Sequence, residues 1–221
     1  MLSPAELRAA IENELHNNLL PFWRERGVDA EHGAINGEMA NDGTIRVEAA
    51  KGLILNSRIL WTFAAVFRAL EDERDLRLAR RAYEYLQTHF RDTEHGGFHW
   101  SVDATGHLLD ASKKIYGQVF CIFALTVYHV ASVEPGAVES AKQIFGLIER
   151  YAHDESHGGY IEVVSRDWSP AADLRLSDKD MDVAKSMNNH LHVLEAYTNL
   201  YRAWPDPQVA DKLRELIDLF E

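Results

Sequence analysis

Asp29-Ala30-Glu31-His32-Gly33-Ala34-Ile35, Asp92-Thr93-Glu94-His95-Gly96-Gly97-Phe98 and Asp154-Glu155-Ser156-His157-Gly158-Gly159-Tyr160 are three copies of one phrase. Their histidines are 63 and 62 residues apart. A fixed period of this size means one supersecondary unit copied along the chain. The phrase is a turn signal, so the copied unit is to be read from what flanks it.

Before the first copy, Ser3-Pro4-Ala5-Glu6 reads as a capping box with proline at the first helical position. Apolar residues follow at helical spacing through Leu7, Ile11, Leu15, Leu19 and Leu20, and Pro21-Phe22-Trp23 closes that segment or begins its last turn. After the first copy comes a helix from Ala49 to Leu70 that is apolar on nearly every side, which marks a buried helix. An amphipathic helix from about Asp75 to Phe90 follows, with an Arg/Glu-rich face, and is peripheral. The cycle then repeats. Phe98 to Val102 alternates like a strand, Ala104-Thr105-Gly106 is a turn, Lys113 to Ala131 is a second inner helix and Pro135 to Tyr151 a second outer one. After the third copy, Tyr160 to Val164 alternates like a strand. A loop to about Asp180 leads to an inner helix from Val183 to Trp204, and an outer helix spans Asp206 to Glu221.

Each unit is thus a peripheral helix, a glycine-rich loop with a short hairpin, and an inner helix. Units that cannot bury their faces alone stack side by side, as an open arc or a closed ring of helix pairs. The expectation is an all-α chain of about three and a half helix pairs. Nothing in the composition marks a second domain, so residues 1–221 are expected to form one.

The formal net charge of −12 is a poor match for a phosphate backbone and argues against nucleic acid as a partner. A neutral or cationic small molecule is easier to accept. The one cysteine, Cys121, lies in an apolar run and reads as a buried core thiol rather than a nucleophile. A lone cysteine fits a reducing compartment, the N-terminus does not read as a signal peptide, and no membrane span is expected. A cytoplasmic location follows as an expectation.

Candidate chemistry lies where polar groups break the apolar faces of the inner helices. The first contributes Asn56, Ser57, Arg58, Trp61 and Thr62, and the second Lys113, Lys114, Tyr116 and Gln118. The third is the richest, from Lys185 to Glu195. Asn188, His192 and Glu195 are four and three residues apart and share a face, whereas His190 points elsewhere. That spacing argues against His190 and His192 chelating one metal. Each candidate also has a plainer reading. Arg58 pairs with a carboxylate, Tyr116 and His192 are hydrogen-bonded core residues, and Trp61 and Trp100 pack rather than stack on a sugar. The recurrence of His32, His95 and His157 favours a structural job in the loop.

The stretch Lys185-Ser186-Met187-Asn188-Asn189-His190-Leu191-His192-Val193-Leu194-Glu195-Ala196-Tyr197-Thr198-Asn199-Leu200-Tyr201 resembles the signature of cellobiose 2-epimerases, within the N-acylglucosamine 2-epimerase superfamily. Asn56 to Phe63 is similar to that family's arginine-bearing helix, and His95 to Asp103 and Lys114 to Phe120 resemble two further segments. The resemblance implies an (α/α)6 toroid. It also implies epimerisation, without cofactor, at C2 of the reducing-end sugar of β-1,4-linked disaccharides. One histidine removes the C2 proton, a cis-enediolate forms, and a second histidine returns the proton on the other face. Carried onto this sequence, Arg58 neutralises the enediolate oxygen, Tyr116 and Asn188 hold sugar hydroxyls, and His192 assists near O1 and O2. Trp61 and Glu195 are the remaining candidates for contact with the saccharide.

Chains of that family are nearly twice as long, and the resemblance puts their acid/base histidines in the half not present here. The sequence therefore reads as the N-terminal part of a toroid, to be completed by a second copy or a complementing C-terminal half. Other readings stay open. The sugar could be N-acylglucosamine or free mannose, or the chain could be a non-catalytic half-toroid that binds a sugar or a partner. An (α/α)6 glycoside hydrolase would need two flanking carboxylates, drawn from Asp110, Asp180 and Glu195.

Overall fold

A computed structural model describes residues 2–175, 179 and 181–221. Asp180 lies outside the described residues. The first helix opens at the predicted capping box: Ser3 accepts from the Glu6 amide, and the Glu6 carboxylate accepts from the Ser3 amide. It comprises α1 (Pro4–Glu14), a π-helical segment (Leu15–Leu19) and α2 (Leu20–Glu25). The helix does not close at Pro21 but makes a last turn beyond it, to Glu25, and the wider π turn ends at Leu19, just before the proline, which has no N–H to place in an α-helical ladder. No residue of α1 is buried. The far end is anchored by Arg24, whose Nε and Nη2 donate to the buried Asp75 carboxylate at 2.8 and 2.6 Å.

Three inner helices follow, α3 (Leu53–Leu70), α5 (Ile115–Ser132) and α7 (Met187–Ala203), alternating with outer helices α4 (Glu73–Tyr85), α6 (Pro135–Tyr151) and α8 (Pro207–Phe220). A second π segment, Leu86–Phe90, extends α4. The inner helices form one layer, α3 against α5 and α5 against α7. Outside them, α4 packs on α3, α6 on α5 and α8 on α7. The core lies between the layers, built on Leu60, Phe63, Ile122, Ile144, Tyr197 and Leu200. Cys121 is fully buried there, and burial raises its thiol pKa far above the ordinary value. By length and composition α3 and α5 are apolar enough to cross a membrane, but both are inner helices of this layer.

The strand-like stretches contract to short pairs. β1 (Lys51–Gly52), β2 (Ser101–Val102) and β3 (Leu108–Asp110) make an antiparallel sheet with Lys51 opposite Val102 and Ser101 opposite Asp110. β4 (Lys113–Lys114) pairs antiparallel with β5 (Val163–Val164). These hairpins sit at the N-terminal ends of the inner helices. They explain why α3 and α5 start later than their apolar pattern suggests, at Leu53 and Ile115, whereas α7 starts at Met187 behind its N-cap Ser186.

Each copy of the phrase folds in the same way. One carboxylate oxygen of the aspartate accepts the amides two and three residues on: Glu31 and His32, Glu94 and His95, Ser156 and His157. The glycine that follows takes positive φ, +86° at Gly33, +75° at Gly96 and +69° at Gly158. The other carboxylate oxygen holds a lysine from the strand or loop just before the next inner helix. Lys51 reaches Asp29 at 2.6 Å, Lys113 reaches Asp92 at 2.9 Å and Lys185 reaches Asp154 at 2.6 Å. Burial alone would raise Asp92, but hydrogen bonds from Arg166 and Lys113 outweigh it and hold the carboxyl well below the usual range. The repeated motif is an aspartate–lysine latch, and the histidine supplies mainly its backbone amide.

Candidate active-site face

The latch lysine sets the register of every inner helix, because it stands two residues before the first helical residue: Lys51 before Leu53, Lys113 before Ile115, Lys185 before Met187. Counting from it sorts the polar candidates. The fifth residue after each lysine is Asn56, Gln118 or His190, and it points back to the loops. Gln118 clamps Phe98, accepting its amide at 3.0 Å and donating to its carbonyl at 2.7 Å. His190 accepts the Tyr160 amide at Nε2, 2.9 Å, and its Nδ1 lies 2.6 Å from the Ser186 carbonyl. His190 is therefore a neutral structural histidine protonated at Nδ1. In the first unit Ala34 replaces the second glycine of the phrase and the shorter Asn56 replaces Gln118, turning instead onto the Gly52 carbonyl at 2.9 Å.

The third, seventh and tenth positions face the open side of the inner layer. They are Tyr116 and Asn188; Arg58, Phe120 and His192; and Trp61, Phe123 and Glu195. Arg58 Nη2 donates to the Tyr116 hydroxyl at 3.3 Å, and its guanidinium carbon lies 4.9 Å from the Phe120 ring centre. The His192 ring meets Tyr116 edge-on at 4.9 Å and Phe120 at 4.8 Å. Trp61 packs on Phe123 at 5.3 Å and is 37% exposed. Four helical residues thus converge from three helices, while Asn188 stands exposed one turn before His192.

His192 Nδ1 lies 3.1 Å from a Glu195 carboxylate oxygen. A carboxylate only accepts, so the pair fixes the proton on Nδ1 and leaves the Nε2 lone pair outward as an acceptor or base. No carboxylate forms an ion pair with Arg58 among the described residues, so its N–H groups stay available to an anionic oxygen. An arginine with uncommitted donors beside an imidazole base can bind and polarise a polyhydroxylated carbonyl compound. The face is a wall rather than a closed pocket. Two cavities of about 720 and 640 Å3 lie on the outer side, one at Arg24, Arg77 and Arg81, the other at Gly96, Ile144 and Leu147. Among the described residues no cluster of three or more metal-ligating side chains is present.

Several candidates read as polar lining take other places. Lys113 is the buried latch, Gln118 and Asn56 serve the backbone, and Trp100 lies against Gly117 with Lys114 over its ring at 4.6 Å. Phe120 and Phe123 went unnoticed in the sequence because an apolar helix hides which of its aromatics face the lumen. The register counted from the lysines would have found them.

Residues 33–221 match the family model described as N-acylglucosamine 2-epimerase (GlcNAc 2-epimerase). The chain is 43% identical over 214 residues to a cellobiose 2-epimerase of Bacteroides fragilis, covering 97% of this chain and 55% of that protein. Among solved structures, it is similar to the cellobiose 2-epimerase of Bacillus thermoamylovorans, with a TM-score of 0.92 and 38% identity over 97% of this chain and 55% of that one. The cellobiose 2-epimerase of Spirochaeta thermophila gives a TM-score of 0.91 and 36% identity, over 98% and 53%. The architecture is that of an (α/α)6 barrel, of which this chain forms about half. It spans about half the length of the relatives it matches.

Proposed function

The chain belongs to the N-acylglucosamine 2-epimerase family, and from that premise we propose that its inner face is one wall of a site that inverts C2 of the reducing-end sugar of a β-1,4-linked disaccharide such as cellobiose. The observation that carries this reading is the meeting of Arg58, Tyr116 and His192 around Phe120 on the lumen side of three separate helices.

The chemistry follows from the residue types. In the open-chain form the C2 proton is acidified by the adjacent aldehyde, and its removal puts negative charge on the carbonyl oxygen. Arg58 is the cation placed to meet that charge, in a setting where no carboxylate among the described residues is ion-paired with it. His192, held as the Nδ1–H tautomer by Glu195, presents Nε2 to the ring hydroxyl or O1 and assists opening of the pyranose. Tyr116 and Asn188 hold sugar hydroxyls, and Trp61 offers an exposed apolar ring to a sugar face. The proton-abstracting and proton-returning histidines that the resemblance implies come from the other half of the barrel. A second copy of this chain or a C-terminal half supplies the opposite wall. The hydrolase alternative is less well served: among the described residues at the third, seventh and tenth positions the carboxylate is Glu195, which is engaged by His192, whereas hydrolysis needs two facing each other.

The test is incubation of the chain, alone and with the C-terminal half of a relative, with cellobiose or N-acetylmannosamine in D2O, followed by chromatography and mass spectrometry. Binding of cellobiose, and glucosyl-mannose carrying one deuterium at C2 once the ring is complete, is expected. Turnover of N-acetylmannosamine alone, or release of free glucose, would overturn the assignment.

A further inference from the structure

We propose that Phe120 is a positioning residue of this face, a spacer whose ring fixes how Arg58 and His192 stand relative to each other. The proposal rests on the reading of the face given above and adds a component that carries no polar atom.

Phe120 occupies in α5 the same register as Arg58 in α3 and His192 in α7, the seventh place after each latch lysine. Both flanking helices pack on α5, so the middle ring stands between the two functional groups. It is 7% exposed, with Arg58 Cζ at 4.9 Å and the His192 ring at 4.8 Å. Tyr116, one turn earlier, closes the group at 5.0 Å. The polar contact of Arg58 here is the 3.3 Å hydrogen bond to Tyr116, which is long. What orients the guanidinium is therefore the face of the Phe120 ring, through the attraction of a cation to the ring quadrupole.

This matters because of what the ring is not. A carboxylate at this place would hold Arg58 more tightly but would neutralise it, and an enediolate oxygen would then have to compete for the same N–H groups. An aromatic face holds the cation without taking any of its N–H donors, one of which reaches the Tyr116 hydroxyl. On its other side the ring props the His192 imidazole against Glu195. Without it, Arg58 is free to turn toward Glu195, the carboxylate on this wall, and His192 loses the partner that sets its tautomer.

The groups facing the His192 ring are Glu195 from its own helix, Tyr116 and Phe120 from α5, and Arg58 from α3 beyond Phe120. The experiment reads the tautomer of the His192 imidazole by nitrogen-15 NMR at one fixed pH, in the full chain and in the variants Phe120→Leu, Phe120→Met and Phe120→Tyr. Cellobiose binding by calorimetry and a circular-dichroism check of folding accompany it. Methionine conserves volume closely enough to keep the helix packed if leucine does not. Leucine or methionine is expected to blur the single Nδ1–H tautomer pattern of the His192 ring into an average of the two tautomers. Cellobiose binding should weaken about tenfold, while tyrosine restores both. A folded Leu or Met variant with the wild-type His192 tautomer pattern would overturn the proposal. A changed pattern in a protein that binds no cellobiose would leave the spacer standing and overturn the saccharide reading instead.

Discussion

Replacing Lys113 by methionine removes one partner from the most deeply buried latch. Lys113 and Asp92 both have side chains at 0% exposure, 2.9 Å apart. The variant leaves the Asp92 carboxylate in the interior with two backbone amides and Arg166, whose side chain is 41% exposed. Breaking a buried ion pair from one side costs roughly 3–5 kcal/mol, because a charge stays desolvated without its partner. Arg166 and the amides offset part of this, so about 3 kcal/mol is expected. The third latch provides the contrast. Lys185 and Asp154 are 25% and 26% exposed, so water replaces the lost partner and Lys185→Met should cost about 1 kcal/mol or less. Urea unfolding followed by circular dichroism reads both, together with Asp92→Asn and the double variant Asp92→Asn/Lys113→Met. The double variant should recover a large part of the single-variant loss, since neither charge is then stranded. Equal losses for Lys113→Met and Lys185→Met would refute the reasoning, because burial would then not be what decides the latch energy.

Three further outcomes follow. Gly97→Ala puts a methyl 2.8 Å from Gln118 Oε1 and from the Trp168 ring at φ +70° and should cost about 2–3 kcal/mol in the same assay. Gly158→Ala, with φ +69° but open space, should cost about 1 kcal/mol. Asp29 has its folded pKa lowered from 3.8 to about 2: burial would raise it, but Lys51 and the His32 amide prevail. A lowered carboxylate pKa gives stability that is present above the unfolded value and lost as pH falls through the folded one. The wild type should therefore lose about 2 kcal/mol from this group between roughly pH 4 and pH 2, and Asp29→Asn should flatten that part of the unfolding-midpoint profile. Leu7→Ser with Ile11→Ser in α1 should change stability by no more than about 0.5 kcal/mol, since these side chains are 50% and 59% exposed. A larger loss in thermal unfolding would show that something covers them in solution.

The Asp-x-x-His-Gly phrase and the apolar periodicity between its copies predicted the order of inner and outer helices seen among the described residues, because turn residues and apolar periodicity are local properties. Arg58, Tyr116 and His192 were legible for the same reason: polar groups interrupt otherwise apolar helices. Their neighbours were less so. The latch joins residues 21 to 31 positions apart, and nothing in the local pattern tells a buried lysine such as Lys113 from the adjacent Lys114. The late helix starts at Leu53 and Ile115 have a similar cause. The preceding residues answer to cross-strand hydrogen bonds from Val102 and Val164, which a reading of apolar spacing does not register. Phe120 could not be singled out as the neighbour of Arg58 and His192, because it is one phenylalanine among the many apolar side chains of α5.

The latches also bear on how such a wall comes into being. Each one ties off a loop of only 21 to 31 residues, and short closures are entropically cheap and quick. During synthesis, each coil is therefore fastened to the one before it by a contact close in sequence, so the order of the inner helices does not wait on distant pairing.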